Sequence, residues 1–118
     1  MMSTVYIVQR PKYKNIDGDL VDKYDLEPAK VFGDLKELLT PYAKPFAPKV
    51  VIKELYQKLD NFTDHDYILC IGNPILMSLS VTVAADINNG RVKLLQWQGH
   101  TEQYIPIAFD LEFPEQAA

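Results

Sequence analysis

A single cysteine, Cys70, and two histidines, His65 and His100, are all the thiol and imidazole chemistry in this chain. One thiol cannot close an intramolecular disulfide, and two imidazoles cannot build a three-histidine catalytic zinc site. No serine falls in a nucleophile elbow. Glycine is sparse, and neither G-x-G-x-x-G nor a Walker sequence with its lysine occurs. Basic charge is also short: 12 Lys and Arg stand against 16 Asp and Glu, a formal net charge of −4. A protein that coats nucleic acid needs a basic surface to displace counterions, and an anionic membrane surface attracts basic segments, so neither partner fits this balance. The longest apolar run, Ile75 to Ile87, is shorter than the roughly 20 residues of a bilayer span. It is also interrupted by Ser78, Ser80, Thr82 and Asp86. With no secretory signal pattern either, a soluble protein of the cytoplasm is expected.

What is present is core. The chain has 118 residues, 47% of them hydrophobic and 24% charged, which suits one folded domain over 1–118. Asp66 to Gly90 (DYILCIGNPILMSLSVTVAADINNG) organises it. Tyr67–Ile71 is continuously apolar, as a strand covered on both faces would be. Asn73 suits a helix N-cap and Pro74 the first helical position. The helix then runs to about Asn88, and Gly90 can adopt the left-handed conformation past its end. Its polar positions Ser78, Thr82 and Asp86 recur every four residues and form one narrow stripe, so the helix is expected to be buried on most sides, by the sheet and by a second helix or a second subunit.

The other segments fit around this unit. Thr4–Gln9 reads as a strand. Residues 11–30 are polar and acidic around Asp17-Gly18, a hairpin with a polar turn or a loop. Asp17, Asp19, Asp22 and Glu27 miss the spacing of a calcium loop, so a solvated face is the reading they support. Residues 31–39 read as a strand, and three prolines between Thr40 and Pro48 as a stiff connection. Pro48–Phe62 is amphipathic, with Val51 or Ile52, Leu55, Leu59 and Phe62 on one face. Arg91–Trp97 and Gln103–Leu111 read as a hairpin joined through Gly99. Pro106 cannot donate to a ladder, which places the second strand at an edge. The expected fold is α/β, a two- or three-layer domain with a mostly parallel sheet of about five strands (β-β-α-β-α-β-β), two βαβ crossovers and a terminal antiparallel hairpin. Residues 112–118 read as a flexible tail.

Two candidate sites emerge. In an open α/β sheet, ligands bind beyond the carboxyl ends of the strands, where Gly72, Asn73 and Pro74 stand. The helix-start N–H groups near Leu76 and Met77 could hold a phosphate or carboxylate, although a well-capped helix start explains the same residues. Trp97, Tyr104, Tyr67 and Tyr6 could gather near the hairpin; Trp97 and Tyr104, with Ser78 and Thr82 on the helix, are the candidate interface residues. His65, between Asp64 and Asp66, is a poor metal signature, His100 sits in a turn, and Cys70 lies in an apolar strand where thiols are inert. No catalytic residue, metal or cofactor is assigned.

The second half resembles a group of small, functionally uncharacterised proteins of tailed bacteriophages. The residues that carry the likeness are Asp66-Tyr67-Ile68-Leu69 leading to Gly72-Asn73-Pro74, then Asn88 to Leu95 with Trp97, and Tyr104-Ile105-Pro106-Ile107. Tyr24-Asp25-Leu26, Pro28-Ala29 and Gly33-Asp34-Leu35 extend it more weakly into the first half. In that group Asp often stands at the position of Asn73, and a charged turn replaces Gly99-His100-Thr101. Both changes keep capping or turn chemistry. The resemblance implies origin and compartment: a phage protein inside the infected cell. Together these readings lead to a non-enzymatic accessory or regulatory protein, a homodimer, that binds a host or phage protein. The alternative is a small nucleotide- or phosphate-ligand protein, enzyme or not, built on the Gly72-Asn73-Pro74 turn. A third option, nucleic-acid binding, needs Arg10, Lys12, Lys14, Arg91 and Lys93 on one face.

Overall fold

The structure is a computed structural model that describes residues 3–112. The tail expected at the C-terminus lies, from residue 113 on, outside the described residues. Strand β1 (Thr4–Gln9) is followed by a short hairpin, β2 (Lys12–Lys14) and β3 (Leu20–Asp22), and by a 3-10 turn (Glu27–Val31). Then come β4 (Asp34–Leu39), helix α1 (Pro48–Lys58), β5 (Tyr67–Leu69), helix α2 (Pro74–Ile87), β6 (Arg91–Gln98) and β7 (Gln103–Asp110). The main sheet has five strands in the order β4-β1-β5-β6-β7. Its first three pairings are parallel, and β6 with β7 is antiparallel. The mixed α/β expectation, with its mostly parallel sheet and terminal hairpin, is what the chain forms.

The burial pattern explains the order. Five of the six residues of β1 are buried, as a strand near the middle of a covered sheet requires. Tyr6, Val8, Leu38, Ile68 and Val92 face one way, against Val51, Leu55 and Leu59 of the α1 segment and Leu76 and Val83 of α2. Val5, Ile7, Leu69 and Leu95 face the other, against Leu26, Ala29 and Tyr104. From β1 the chain steps outward to β4, then reverses past β1 to β5 and on to β6. Right-handed crossovers that reverse direction lie on opposite faces. Both helices therefore share one face, and the hairpin with its 3-10 turn covers the other.

Several local outcomes refine the sequence reading. In α1 Val51 is buried in the core and Ile52 packs against its margin, partly buried. Strand β5 stops at Leu69, two residues before the expected end, because the backbone turns at Ile71 and Gly72, the latter at φ +114°. α2 ends with both Asn89 (φ 56°) and Gly90 (φ 84°) left-handed, and the Gly90 N–H donates to the Ala85 carbonyl at 2.7 Å. The acidic stretch 11–30 contains the β2–β3 hairpin, turned by the Asn15 side chain, which accepts from the Asp17 and Asp19 N–H groups at 3.0 and 2.9 Å. Val31 belongs to the 3-10 turn, so β4 starts later than residue 31. Among the described residues no helix is long and apolar enough to cross a membrane.

Candidate functional site

Counting only the five strands of the main sheet, the order is 2-1-3-4-5. The connections from β1 and β5 leave in opposite directions, so a crevice opens between their carboxyl ends, the geometry in which open α/β sheets take ligands. Gln9 ends β1 there. Its side chain is nearly buried and forms a bridge: Oε1 accepts from the Asn73 N–H at 3.1 Å, while Nε2 donates to the Thr40 and Pro41 carbonyls at 3.2 and 3.3 Å. One side chain thus ties the ends of β1 and β4 to the start of α2. Gly72 passes so close that a Cβ placed on it would lie 2.7 Å from the Cβ of Gln9.

The start of α2 uses its own donors. Asn73 Oδ1 accepts from the Ile75 and Leu76 N–H groups at 2.9 and 3.3 Å, and the Asn73 carbonyl accepts from the Met77 N–H at 2.9 Å. Pro74 has no N–H. The groups that a phosphate at Leu76 and Met77 would use are therefore already bonded within the protein. Asn73→Ala is expected to cost about 1 kcal/mol of stability in urea denaturation, the usual worth of an N-cap side chain, while Asn73→Asp should hold near wild type.

The crevice encloses about 520 Å³. Its floor is Cys70, Ile71 and Gly72, and Met77 of α2 closes the helix side. Gln96 and Trp97 of β6 and Tyr104 of β7 line the third side, and Lys23 and Tyr24 overhang it from the loop after β3. The Lys23 N–H donates to the Pro11 carbonyl at 2.9 Å, which fixes the base of this overhang. The Trp97 and Tyr104 rings meet edge to face with centroids 5.0 Å apart. Burial raises the Tyr104 hydroxyl pKa, with the Asp25 carboxylate adding to the effect; that hydroxyl donates to the Asp25 carbonyl at 3.0 Å. Burial likewise pushes the Cys70 thiol up, so it stays protonated at neutral pH. The arrangement offers flat apolar contact and hydrogen-bond donors around a protonated thiol, which is binding chemistry.

Of the four aromatics considered from sequence, Tyr104, Trp97 and Tyr67 border one core cluster, and Tyr6 lies on the other face of the sheet. Trp97 and Tyr104 pair, Tyr67 packs on Phe32 at 5.3 Å, and Tyr6 lies across the sheet against Phe62 at 5.9 Å. Of the candidate interface residues, Tyr104 is only 3% exposed and is closed beneath the 3-10 turn. Ser78 and Thr82 stand on the outer side of α2, their hydroxyls donating to the Pro74 and Ser78 carbonyls at 2.9 and 2.7 Å. Asp86 accepts from the Tyr56 hydroxyl at 2.5 Å and joins the two helices.

The basic residues are divided between opposite ends of the sheet. Arg10, beyond β1, pairs with Glu37 at 3.0 Å, and Lys12 with Asp22 at 2.9 Å. Arg91 starts β6 at the other end and pairs with Asp64 at 3.0 Å, holding that carboxyl below its usual range. His65 and His100 are both exposed, and among the described residues no three His, Cys, Asp or Glu side chains are placed to hold a metal ion.

The family model described as phage Pam3 gp32-like protein matches residues 3–111. The chain belongs to that family. Neither a curated protein nor a solved structure matches it. The phage origin expected from the second half thus extends over both halves of the chain. In this family member, the crevice residues that sequence reasoning missed include Gln9, Lys23, Tyr24 and Gln96. Gln9 could have been found, because it is the last residue of a clearly marked strand and so stands at the carboxyl edge. Lys23 and Tyr24 reach the crevice only through the fold of the hairpin, which no local pattern announces.

Proposed function

We propose that this phage Pam3 gp32-like protein acts by binding a host or phage protein in the cytoplasm of the infected cell, without catalysing a reaction, and that it works as a homodimer. The observation that carries the reading is an uncovered face of β7. Two helices share one side of a five-stranded sheet, and β7 lies beyond them. Ile105 and Ile107 alternate onto that side with Phe109 and are 37% and 43% exposed. Beside them runs a hollow of about 530 Å³ between α2 and β7, lined by Val81, Thr82, Ala85, Phe109 and Leu111, with Asp86, Asn89 and Gly90 at the end of α2. Contiguous exposed apolar surface of this kind marks interaction sites. Because the hydroxyls of Ser78 and Thr82 are turned onto their own helix, the flank of α2 costs little to desolvate.

Ile107→Lys tests this. Light scattering should find a dimer for the wild type at high micromolar concentration and a monomer for the variant, with the thermal midpoint kept, since Ile107 is half exposed. A wild-type monomer at that concentration overturns the homodimer. Affinity capture from infected cells should likewise return a partner with the wild type that Ile107→Lys loses; a partner retained by the variant places binding elsewhere.

A second reading is favoured by the crevice at the carboxyl edge of β1, β5 and β6: a small-ligand protein. The supporting observation is that a cavity of ordinary ligand size lies at the sheet's switch point. With the helix-start N–H groups bonded to Asn73, such a ligand would be held by side chains.

A further inference from the structure

The lining of the crevice is selective in one respect. The chain carries more acidic than basic residues, yet among the described residues no Asp or Glu lines this cavity, and Lys23 is the one ionic group that does. Asp22, Asp25 and Glu27 line the adjoining hollow, which Lys23 and Tyr24 also border. Among the described residues no carboxylate pairs with Lys23; its ammonium stands 5.6 Å from the centroid of the Tyr24 ring. The neighbouring cations Arg10 and Lys12, by contrast, are paired.

The hydrogen-bonding groups that remain open include two donors besides Lys23, and the Gln96 amide, which can donate or accept. Asn73 Oδ1 is committed to two backbone N–H groups, which fixes the amide orientation and turns Nδ2, with two N–H bonds, away from the helix. The indole N–H of Trp97 has no acceptor among the described residues and can only donate. Gln9, whose oxygen could have accepted, is spent on the bridge from β1 to α2. Flat and apolar walls complete the cavity: Trp97, Tyr104, Ile71 and Met77.

We propose that this crevice binds a planar aromatic or heteroaromatic ring bearing one negative charge, with the ring against Trp97 and Met77 and the anion at Lys23. This rests on the small-ligand reading above. A single charge follows from a single cation. A dianionic phosphate monoester would need a second cation or a free helix N-terminus, and the donors at the start of α2 are occupied by Asn73. A neutral ring would gain nothing from the Lys23 ammonium, and a cationic one would be repelled by it. Two sources supply the chemistry, an aromatic carboxylate and the phosphodiester of a cyclic nucleotide.

Trp97 is the only tryptophan in the chain, so its indole N–H gives one resolved signal in a nitrogen–proton spectrum. Four probes separate the possibilities: indole-3-acetate, adenosine 3′,5′-cyclic monophosphate, neutral adenosine and cationic tryptamine. At least one of the two monoanions should shift the Trp97 indole and Asn73 side-chain amide signals saturably, and which one does so identifies the source. Lys23→Gln should weaken that binding roughly five- to tenfold, the worth of a charged hydrogen bond at a partly solvated site, while leaving the unliganded spectrum of the core unchanged. Adenosine or tryptamine binding as tightly as the monoanions, or an unchanged affinity in Lys23→Gln, overturns the charge assignment and leaves the small-ligand reading standing. If none of the four probes moves these signals at millimolar concentration, both are overturned.

Discussion

Gly72→Ala should lower folding stability by about 3 kcal/mol, the sum of backbone strain and overpacking. Two independent causes act there. The φ of +114° is one that L side chains rarely adopt. The added Cβ would also stand 2.7 Å from the Gln9 Cβ, 3.0 Å from the Gln9 carbonyl oxygen and 3.1 Å from Gln9 Oε1. Gln9 cannot retreat cheaply. Its backbone pairs with Leu39 in β4, and its amide is held at Asn73, Thr40 and Pro41. Gly18 is the control: its φ is +82°, but a Cβ added there would meet no atom within 4 Å. Gly18→Ala should cost only about 1 kcal/mol, the left-handed penalty alone. Urea denaturation of both variants checks the difference, and equal losses would show that the Gly72–Gln9 approach gives way without cost. Because Gln9 Oε1 accepts from the Asn73 N–H, Gly72→Ala should also disturb that bond, visible as shifts of the Asn73 amide signals.

Much of this arrangement was readable because its local signals agree with one another. Tyr67–Ile71 is apolar on both faces, Asn73 and Pro74 cap the helix, and Asn89-Gly90 ends it, so strand, turn and helix could be placed within two residues. The βαβ rule then fixed parallel pairing, and Pro106 fixed an edge. The strand order was not readable. Nothing local distinguishes β4 beside β1 from β4 beside β5; that choice is made by which faces α1 and α2 must cover. Parity had the same effect on the aromatics. Tyr6 and Trp97 both sit in apolar strands, but whether they share a face depends on register, and the register of Tyr6 with Ile68 and of Ile68 with Leu94 puts Tyr6 with the helices. The missing site residues are of a third kind. Gln9 meets Asn73 across 64 positions of sequence, a contact that belongs to the assembled sheet. The helix start read as an anion site for a sound reason, yet the cap residue that defined it also consumes its donors.

Asp66→Ala should cost about 2–3 kcal/mol, because it removes a largely buried carboxylate that serves three donors. Asp66 is 6% exposed. One oxygen accepts from the Thr4 N–H at 2.9 Å, and the other from the Thr63 N–H at 2.8 Å and the Thr63 hydroxyl at 3.1 Å. It therefore fastens the first residue of β1 to the loop that leads into β5, 62 positions away. This is the amino edge of the two strands whose carboxyl ends flank the crevice, so the same pair is clamped at one end by Asp66 and at the other by Gln9. Alanine leaves backbone N–H groups at both Thr4 and Thr63 without an acceptor. Asparagine keeps the shape but turns an N–H₂ toward one of them, donor against donor, so Asp66→Asn should recover only about half of the loss. Urea midpoints give the two energies, and amide exchange at Thr4 and Thr63 locates them, with both rates rising in the alanine variant and one in the asparagine variant. If both variants unfold within about 0.5 kcal/mol of wild type, as an ordinary surface substitution would, the carboxylate is not the clamp at this end of the sheet.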